Sequence, residues 1–165
     1  IRAADPYSTL ILDPFNDGFV PEETFPDLPE YPVGASGIIS ILQTDAPEYD
    51  WEIDDFVPAA NSELVIYELL MRDFVARHDY QTLLDTLDYL ERLGINAIEL
   101  MPVNEFEGND SWGYNPSFHM ALDKYYGTAE DFKRFIDEAH ARGMAVIIDV
   151  VYNHAFSQSP LAQLY

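Results

Sequence analysis

The chain has 165 residues, and 30 Asp and Glu side chains against 8 Lys and Arg give it a formal net charge of −22. With 48% hydrophobic and 14% aromatic residues it can bury a core, which excludes a wholly disordered acidic polymer. The scarcity of basic side chains argues against a nucleic-acid partner, and an anionic membrane surface would repel the chain. A neutral substrate is compatible with this charge.

The sequence contains no cysteine, which excludes disulfides and Cys-based zinc sites and leaves the redox compartment undetermined. No apolar run approaches the roughly 18 residues of a membrane span, so no spanning helix is predicted. No signal peptide precedes Ile1, and a cytoplasmic and a secreted or periplasmic location both stay open.

The first 63 residues differ in composition from the rest of the chain. They hold 14 acidic side chains, one basic side chain and eight of the 11 prolines. Such proline density disfavours helices and central strands, although residues 9–12 and 37–42 have short β-like runs. We therefore predict that residues 1–63 are an irregular, partly β segment, the end of an N-terminal β module followed by a linker.

Residues 64–165 alternate between strand-like and helix-like patterns. Short apolar runs of strand length lie at 64–70, 97–101 and 145–151. Between the first two runs, four leucines are spaced as on one helical face: Leu83, Leu84, Leu87 and Leu90. Gly94 follows them and is a typical residue at the end of a helix. A long loop over 103–127 precedes a second helix, which begins at the capping-box pair Thr128 and Asp131.

This β-α-β-α-β order, with strands that are apolar throughout, predicts an α/β fold with a parallel sheet covered by helices. The periodicity is compatible with an open doubly wound sheet and with a (β/α)8 barrel. No G-x-G-x-x-G motif or P-loop follows a strand, which weakens the nucleotide-binding version.

Polar residues follow the ends of the predicted strands, where ligands of parallel α/β folds bind. Asp149 interrupts the third apolar strand, and Asn153 and His154 come just after it. A buried carboxylate costs several kcal/mol unless it is paired or hydrogen-bonded. Asp149 is compatible with a site residue and equally with a satisfied acid that holds a loop. His154 alone more often has a structural role, and a metal site here would need ligands from elsewhere.

The loop between the second strand and the second helix carries Trp112 and Tyr114. Aromatic rings at this edge of a sheet are platforms against which sugar rings can pack. The alternative is that both rings simply bury the loop.

Residues 149–154 (DVVYNH) resemble the first signature region of the α-amylase superfamily of glycoside hydrolases. Further blocks in the same order resemble that family, especially its branching-enzyme, isoamylase and pullulanase-like members: 66–68 (IYE) with 72–74 (RDF), 93–103 (LGINAIELMPV), 112–116 (WGYNP), and 126–128 (YGT) with 131–133 (DFK). The resemblance covers residues 64–156, and residues 13–17 are less securely similar to the end of an N-terminal β-sandwich.

The resemblance implies a (β/α)8 barrel that cleaves or transfers α-glucosidic bonds of an α-glucan or maltooligosaccharide, with no required cofactor. It implies that Tyr114 stacks under the sugar, His154 hydrogen-bonds sugar hydroxyls and Asp149 orders the site. Trp112 completes the predicted substrate-binding residues. Asn153 matches a position that binds calcium in many α-amylases.

The family's nucleophile Asp and acid Glu follow the fourth and fifth barrel strands, beyond Tyr165. A complete barrel takes roughly 250 residues, so residues 64–165 would supply strands one to three with two helices. We expect this chain by itself to be inactive and to self-associate, because an opened barrel leaves bare strand edges. The alternative is a non-catalytic glucan-binding or structural fragment.

Overall fold

The computed structural model describes residues 2–44 and 46–165. Near the N-terminus, strands β1 (Ile11–Leu12) and β2 (Ile39–Ser40) pair antiparallel, with Ile11 opposite Ser40. They are shorter than the β-like runs of the sequence, and turns dominate the neighbouring residues. A single turn of 3-10 helix follows β1 at Asp17–Phe19, and another lies at Asn61–Glu63.

A three-stranded parallel sheet forms the centre of the remaining chain. Its strands are β3 (Ile66–Leu69), β4 (Ala97–Leu100) and a later strand at Ala145–Ile148, which pairs with the other side of β4. The parallel sheet predicted from the three apolar runs is therefore confirmed.

The crossover from β3 to β4 contains short helices rather than the one helix that the leucine spacing predicted. They are α1 (Met71–Phe74), α2 (Tyr80–Leu84) and α3 (Leu87–Arg92). Between α2 and α3 the Thr86 hydroxyl donates to the Leu83 carbonyl oxygen at 2.7 Å, which gives this carbonyl a side-chain partner at the break. Leu83 and Leu90 are nevertheless fully buried, as the spacing indicated.

The predicted loop over 103–127 contains an antiparallel hairpin, so this part of the prediction is wrong. Strand β5 (Asn104–Phe106) pairs with β6 (Pro116–Leu122), and a 3-10 turn follows at Lys124–Tyr126. The register shifts on both sides of Glu105, and such bulges disturb the alternation by which a strand is recognised in sequence.

Helix α4 (Ala129–Ala141) begins at the predicted capping box. The Thr128 hydroxyl accepts from the Asp131 N–H at 3.1 Å, and the Thr128 N–H donates to the Asp131 carboxylate at 3.4 Å. Gly143, at φ +74°, follows the helix and leads into β7 (Ala145–Ile148). The last helix, α5, is short and spans Pro160–Leu164.

The third strand ends earlier than the apolar run predicted, at Ile148 instead of residue 151. The Asp149 N–H still donates to the Leu100 carbonyl oxygen at 2.9 Å. The chain then crosses towards β6, where the Phe156 N–H donates to the Pro116 carbonyl oxygen at 2.8 Å. Residues 149–156 therefore run from a contact with the end of β4 to a contact with the start of β6.

The main core lies between the parallel sheet and its helices. Fully buried members from β4, α2, α3 and α4 include Tyr80, Leu83, Leu87, Leu90, Ile98, Leu100, Phe135 and Ala139. A smaller cluster joins Ile11 of β1 to Phe118 and Ala121 of β6. Within residues 2–44 and 46–165, no helix is long and apolar enough to cross a membrane.

Candidate functional site

The carboxyl ends of the three parallel strands converge on one edge of the sheet. β3 leads into Arg72 and Asp73, β4 into Pro102, and β7 into Asp149. The loop at residues 107–115, between β5 and β6, approaches the same edge. We call residues 107–115 the site loop, because it carries both aromatic residues that the sequence singled out.

Tyr114 and Asp149 meet although 35 residues separate them in sequence. The Tyr114 hydroxyl donates a short hydrogen bond to Asp149 Oδ2. This bond, followed by burial and the charge of Asp149, raises the pKa of Tyr114 to about 12. The phenol is therefore fully protonated at neutral pH. One face of the residue remains open, since Tyr114 is 39% exposed.

His154 contacts the backbone of the same tyrosine. Its Nε2 lies 2.8 Å from the Tyr114 carbonyl oxygen. A carbonyl oxygen only accepts, so Nε2 carries the proton, and in the neutral ring Nδ1 is an acceptor. The structure therefore brings three of the predicted residues together: Tyr114, Asp149 and His154.

The other predicted residues lie at the margin of this group. Trp112 is 58% exposed on the site loop, so its ring does not serve to bury the loop. Asn153 is exposed in the segment after β7. Neither side chain has a contact that fixes it to the Tyr114–Asp149 pair.

The backbone of the site loop is tightly fixed at Gly113. This residue has φ +90°, and a Cβ built there would lie 2.3 Å from the Pro102 carbonyl oxygen. Only glycine fits this approach. The Gly113 N–H donates to the Ser111 hydroxyl at 2.9 Å, and that hydroxyl donates a short hydrogen bond to the Asn115 side chain. The residues on both sides of Tyr114 are thus held.

The contacts that two residues, Arg72 and His119, make at this edge were missed by the sequence analysis. Arg72 Nη1 donates to Asp110 of the site loop at 2.7 Å, while Arg72 Nε donates to Asp73 at 2.9 Å and lowers the pKa of that acid. His119 Nε2 lies 3.2 Å from the His154 carbonyl oxygen. The RDF motif after β3 was the one available signal for Arg72, and nothing in the spacing indicated His119.

Calcium, implied for the Asn153 position, does not fit the residues present. Calcium takes about six to eight oxygen ligands. In the part of the chain that the structure describes, no group of three or more His, Asp or Glu side chains could hold a metal ion. Asn153 would need most of its partners from elsewhere, and no step below involves calcium.

A parallel α/β unit with aromatic and carboxylate side chains at the carboxyl edge has the arrangement of α/β enzymes, both (β/α)8 barrels and open parallel sheets. The sequence model of the alpha-amylase catalytic domain matches residues 52–161, two thirds of the chain. The chain therefore belongs to the alpha-amylase catalytic-domain family, and its sheet is the first three strands of a (β/α)8 barrel.

Individual relatives agree with this assignment. Malto-oligosyltrehalose trehalohydrolase from Saccharolobus solfataricus is 36% identical over 93% of this chain and 26% of its own length. Chloroplastic isoamylase 1 from Arabidopsis thaliana is 32% identical over 89% of this chain and 23% of its own. The chain spans about a quarter of the length of these curated relatives.

Solved structures give the same fold. The crystal structure of a Salmonella typhimurium protein assigned as an alpha amylase matches with a TM-score of 0.74 and 29% identity, over 96% of this chain and 24% of that one. Trehalose-6-phosphate hydrolase from Bacillus licheniformis matches with a TM-score of 0.54 and 30% identity, over 61% of this chain and 19% of its own.

Proposed function

We propose that this chain is part of an α-glucan-active glycoside hydrolase, that it contains the N-terminal part of the catalytic barrel, and that it supplies a sugar-binding subsite. The observation that carries the proposal is the hydrogen bond from the Tyr114 hydroxyl to Asp149, at the carboxyl edge of the sheet. Relatives named for malto-oligosyltrehalose and for isoamylase activity support a glucan substrate. The uncompensated negative charge of the chain also favours a neutral ligand over an anionic one.

Each side chain has a role that follows from its contacts. The half-exposed ring of Tyr114 is a face on which a glucose ring can pack, with Asp149 fixing its orientation. His154 has its Nε2 bound to the Tyr114 backbone, so its Nδ1 is the ring atom free to accept from a sugar hydroxyl. Trp112 offers a second aromatic surface on the site loop.

We propose that the chain by itself binds glucans without cleaving them. Retaining hydrolysis needs two carboxyl groups about 5–5.5 Å apart, one as nucleophile and one as acid and base. The family resemblance assigns these groups to the fourth and fifth barrel strands, whereas the chain supplies strands one to three. The family resemblance makes Asp149 a supporting carboxylate, and the hydrogen bond from the Tyr114 hydroxyl agrees with that role.

We also propose that the chain self-associates and that residues 1–63 are the end of an N-terminal β module with its linker. Ile66 of β3 and Ile148 of β7 are 47% and 40% exposed on the outer strands of the sheet. Exposed apolar residues beside unpaired strand edges favour association. Sedimentation as a well-behaved monomer at micromolar concentration would count against self-association.

The binding proposal is tested by calorimetric titration of maltoheptaose into the chain and into Tyr114→Ala. Tyr89→Ala is the matched control, because Tyr89 is similarly exposed but lies on α3. We expect Tyr114→Ala to weaken binding by at least about tenfold, or 1.4 kcal/mol, and Tyr89→Ala to leave it unchanged. Equal affinity in all three proteins would contradict the proposal that Tyr114 lies in a sugar-binding site.

A further inference from the structure

A compact turn near the N-terminus holds itself together with its own side chains. Within residues 13–17, the Asp13 N–H donates to Asp17 Oδ2 at 2.8 Å, and the Phe15 N–H donates to Asp13 Oδ1 at 2.9 Å. The Asn16 side chain donates to Asp13 Oδ2 at 2.7 Å. We call residues 13–17 the acidic turn. Because these three hydrogen bonds lie within five residues, the turn is a locally defined unit that can position a neighbour.

The acidic turn forms an ion pair with the hairpin that carries the site loop. Lys124, just after β6, is 2% exposed, and its Nζ lies 3.3 Å from Asp17 and 2.6 Å from Glu105 of β5. A buried ammonium is tolerated only with such partners. Burial raises the pKa of Asp17, while the charge of Lys124 acts in the opposite direction. The lysine thus joins the acidic turn to both strands of the hairpin.

Two further contacts connect the N-terminal segment to this hairpin. Asn109, within the site loop, donates through Nδ2 to the Asn16 carbonyl oxygen at 2.9 Å. Ile11 packs in a buried cluster with Phe118 and Ala121 of β6. The N-terminal segment therefore contacts the site loop itself at Asn109 and the residues after it, and it reaches Glu105 on the strand before the loop through Lys124.

We propose that the acidic turn is a positioning element for the site loop, with Asp17, Lys124 and Asn109 as its positioning residues. The turn lies outside residues 52–161, the region that matches the catalytic-domain family. It contacts the loop that presents Trp112 and Tyr114 at Asn109, and through Lys124 it is joined to Glu105 on the strand that leads into that loop. The ligand in this inference rests on the proposed function, but the effect on the loop itself does not.

The alternative is that these contacts stabilise the fold without affecting the site loop. The two can be separated because Asp17→Asn leaves Lys124 paired with Glu105, a cluster with balanced charge, so the variant should fold. Asn109→Asp is a second, independent variant, since it replaces the donor to the Asn16 carbonyl with an acceptor and disturbs no buried ion.

The experiment has a readout of the loop that needs no ligand. The chain has two tryptophans, so Trp51→Phe makes Trp112 the single indole, and its acrylamide quenching reports the exposure of the site loop. In that background we compare Asp17→Asn, Asn109→Asp and the rescue variant Asp17→Glu. Asp88→Asn is the matched control, because it removes an equally charged partner of Arg142 on the helical side.

We expect Asp17→Asn and Asn109→Asp to increase quenching of Trp112 and to raise the Kd for maltoheptaose about tenfold. Asp17→Glu should restore both values in part, and Asp88→Asn should change neither. Unchanged quenching in both variants overturns the inference, and so does altered quenching with unaltered affinity. If the parent protein does not bind maltoheptaose, the proposed function falls, and the inference about the loop then stands or falls on quenching alone.

Discussion

Tyr49 and Tyr114 each lie beside an aspartate that raises the pKa of the phenol, and the two aspartates differ in their other contacts. Asp137 on α4 is 4% exposed and also accepts from the N–H groups of Glu52 and Ile53, at 3.1 and 3.2 Å. Burial first, and the hydrogen bond to Asp137 second, raise the pKa of Tyr49 to about 12. Asp137 therefore fastens the segment around residues 49–53 to the helix.

Asp149 is the contrasting case. In the described parts of the chain it is half-buried and its carboxylate has one hydrogen-bond donor, the Tyr114 hydroxyl. Here the hydrogen bond is the largest cause of the raised tyrosine pKa, ahead of burial. The Asp149 carboxylate can accept further hydrogen bonds, whereas the Asp137 carboxylate already accepts from two backbone N–H groups. The same two residue types therefore have two roles: Asp137, beside Tyr49, is a structural anchor, and Asp149, beside Tyr114, belongs to a candidate binding pair.

The largest effect is expected at the anchor. Asp137→Ala removes charge-assisted hydrogen bonds to two backbone N–H groups, so we expect the free energy of unfolding to fall by about 2–3 kcal/mol. Urea denaturation measures this loss. Maltoheptaose affinity of the folded variant should equal that of the parent, and a large loss of affinity would erase the distinction between the pairs.

A smaller loss in the free energy of unfolding is expected when the glycine before Tyr114 is replaced. Gly113→Ala places a Cβ against the Pro102 carbonyl at a positive φ, so the site loop must shift. We expect a loss of about 1–2 kcal/mol in the free energy of unfolding together with weaker maltoheptaose binding. Gly34→Ala is the control, since Gly34 also has a positive φ but open space around its Cβ. Full affinity in Gly113→Ala would mean that the loop conformation does not matter for binding.

At the candidate binding pair, the expected effect is on affinity rather than stability. Asp149→Asn keeps the shape but removes the charge, and we expect maltoheptaose to bind about tenfold more weakly, which corresponds to 1.4 kcal/mol. The free energy of unfolding should change by less than about 1 kcal/mol, because the carboxylate is only half-buried. Calorimetry and urea denaturation on the same preparation give both numbers. A stability loss as large as that of Asp137→Ala would make Asp149 a second anchor.

The smallest effect concerns alkaline pH. A tyrosine whose folded pKa is raised from 10.0 to about 12 favours the folded state below pH 10, and this contribution is lost as the pH rises towards 12. Assigned tyrosine ring resonances followed by NMR from pH 9 to 12.5 should show Asp149→Asn lowering the pKa of Tyr114 and leaving that of Tyr49 in place. A shift of both tyrosines would show that the two sites are not independent.

Local signals in the sequence predicted local structure well. The Thr128–Asp131 capping box is where the pattern placed it, and each of the three parallel strands lies within its predicted apolar run, although all three are shorter than the runs. The β5–β6 hairpin was not predicted, because a long loop connects its strands and bulges around Glu105 disturb the alternation of the pattern. The Asp137 anchor was also missed, since its partners lie about 85 residues away and no periodicity records such a contact.

The candidate site was predicted only in part by physical reasoning. Strand-end position alone made Asp149 a candidate, but the spacing left an ordinary structural acid equally open. The family resemblance selected Tyr114 and His154, and in the structure Tyr114 contacts both His154 and Asp149. No sequence signal indicated the ion pairs of Lys124 with Asp17 of the acidic turn and with Glu105, because they depend on how distant segments pack.

The most direct measurement is to map maltoheptaose binding onto the chain by NMR, using the ring resonances of tyrosine and histidine. We predict that saturating maltoheptaose shifts the resonances of Tyr114 and His154 while those of Tyr49 and His140 stay in place. Shifts confined to Tyr49 and the surface of α4, or no shifts at any of these rings, would contradict the assignment of the Tyr114–Asp149 pair as the glucan-binding site.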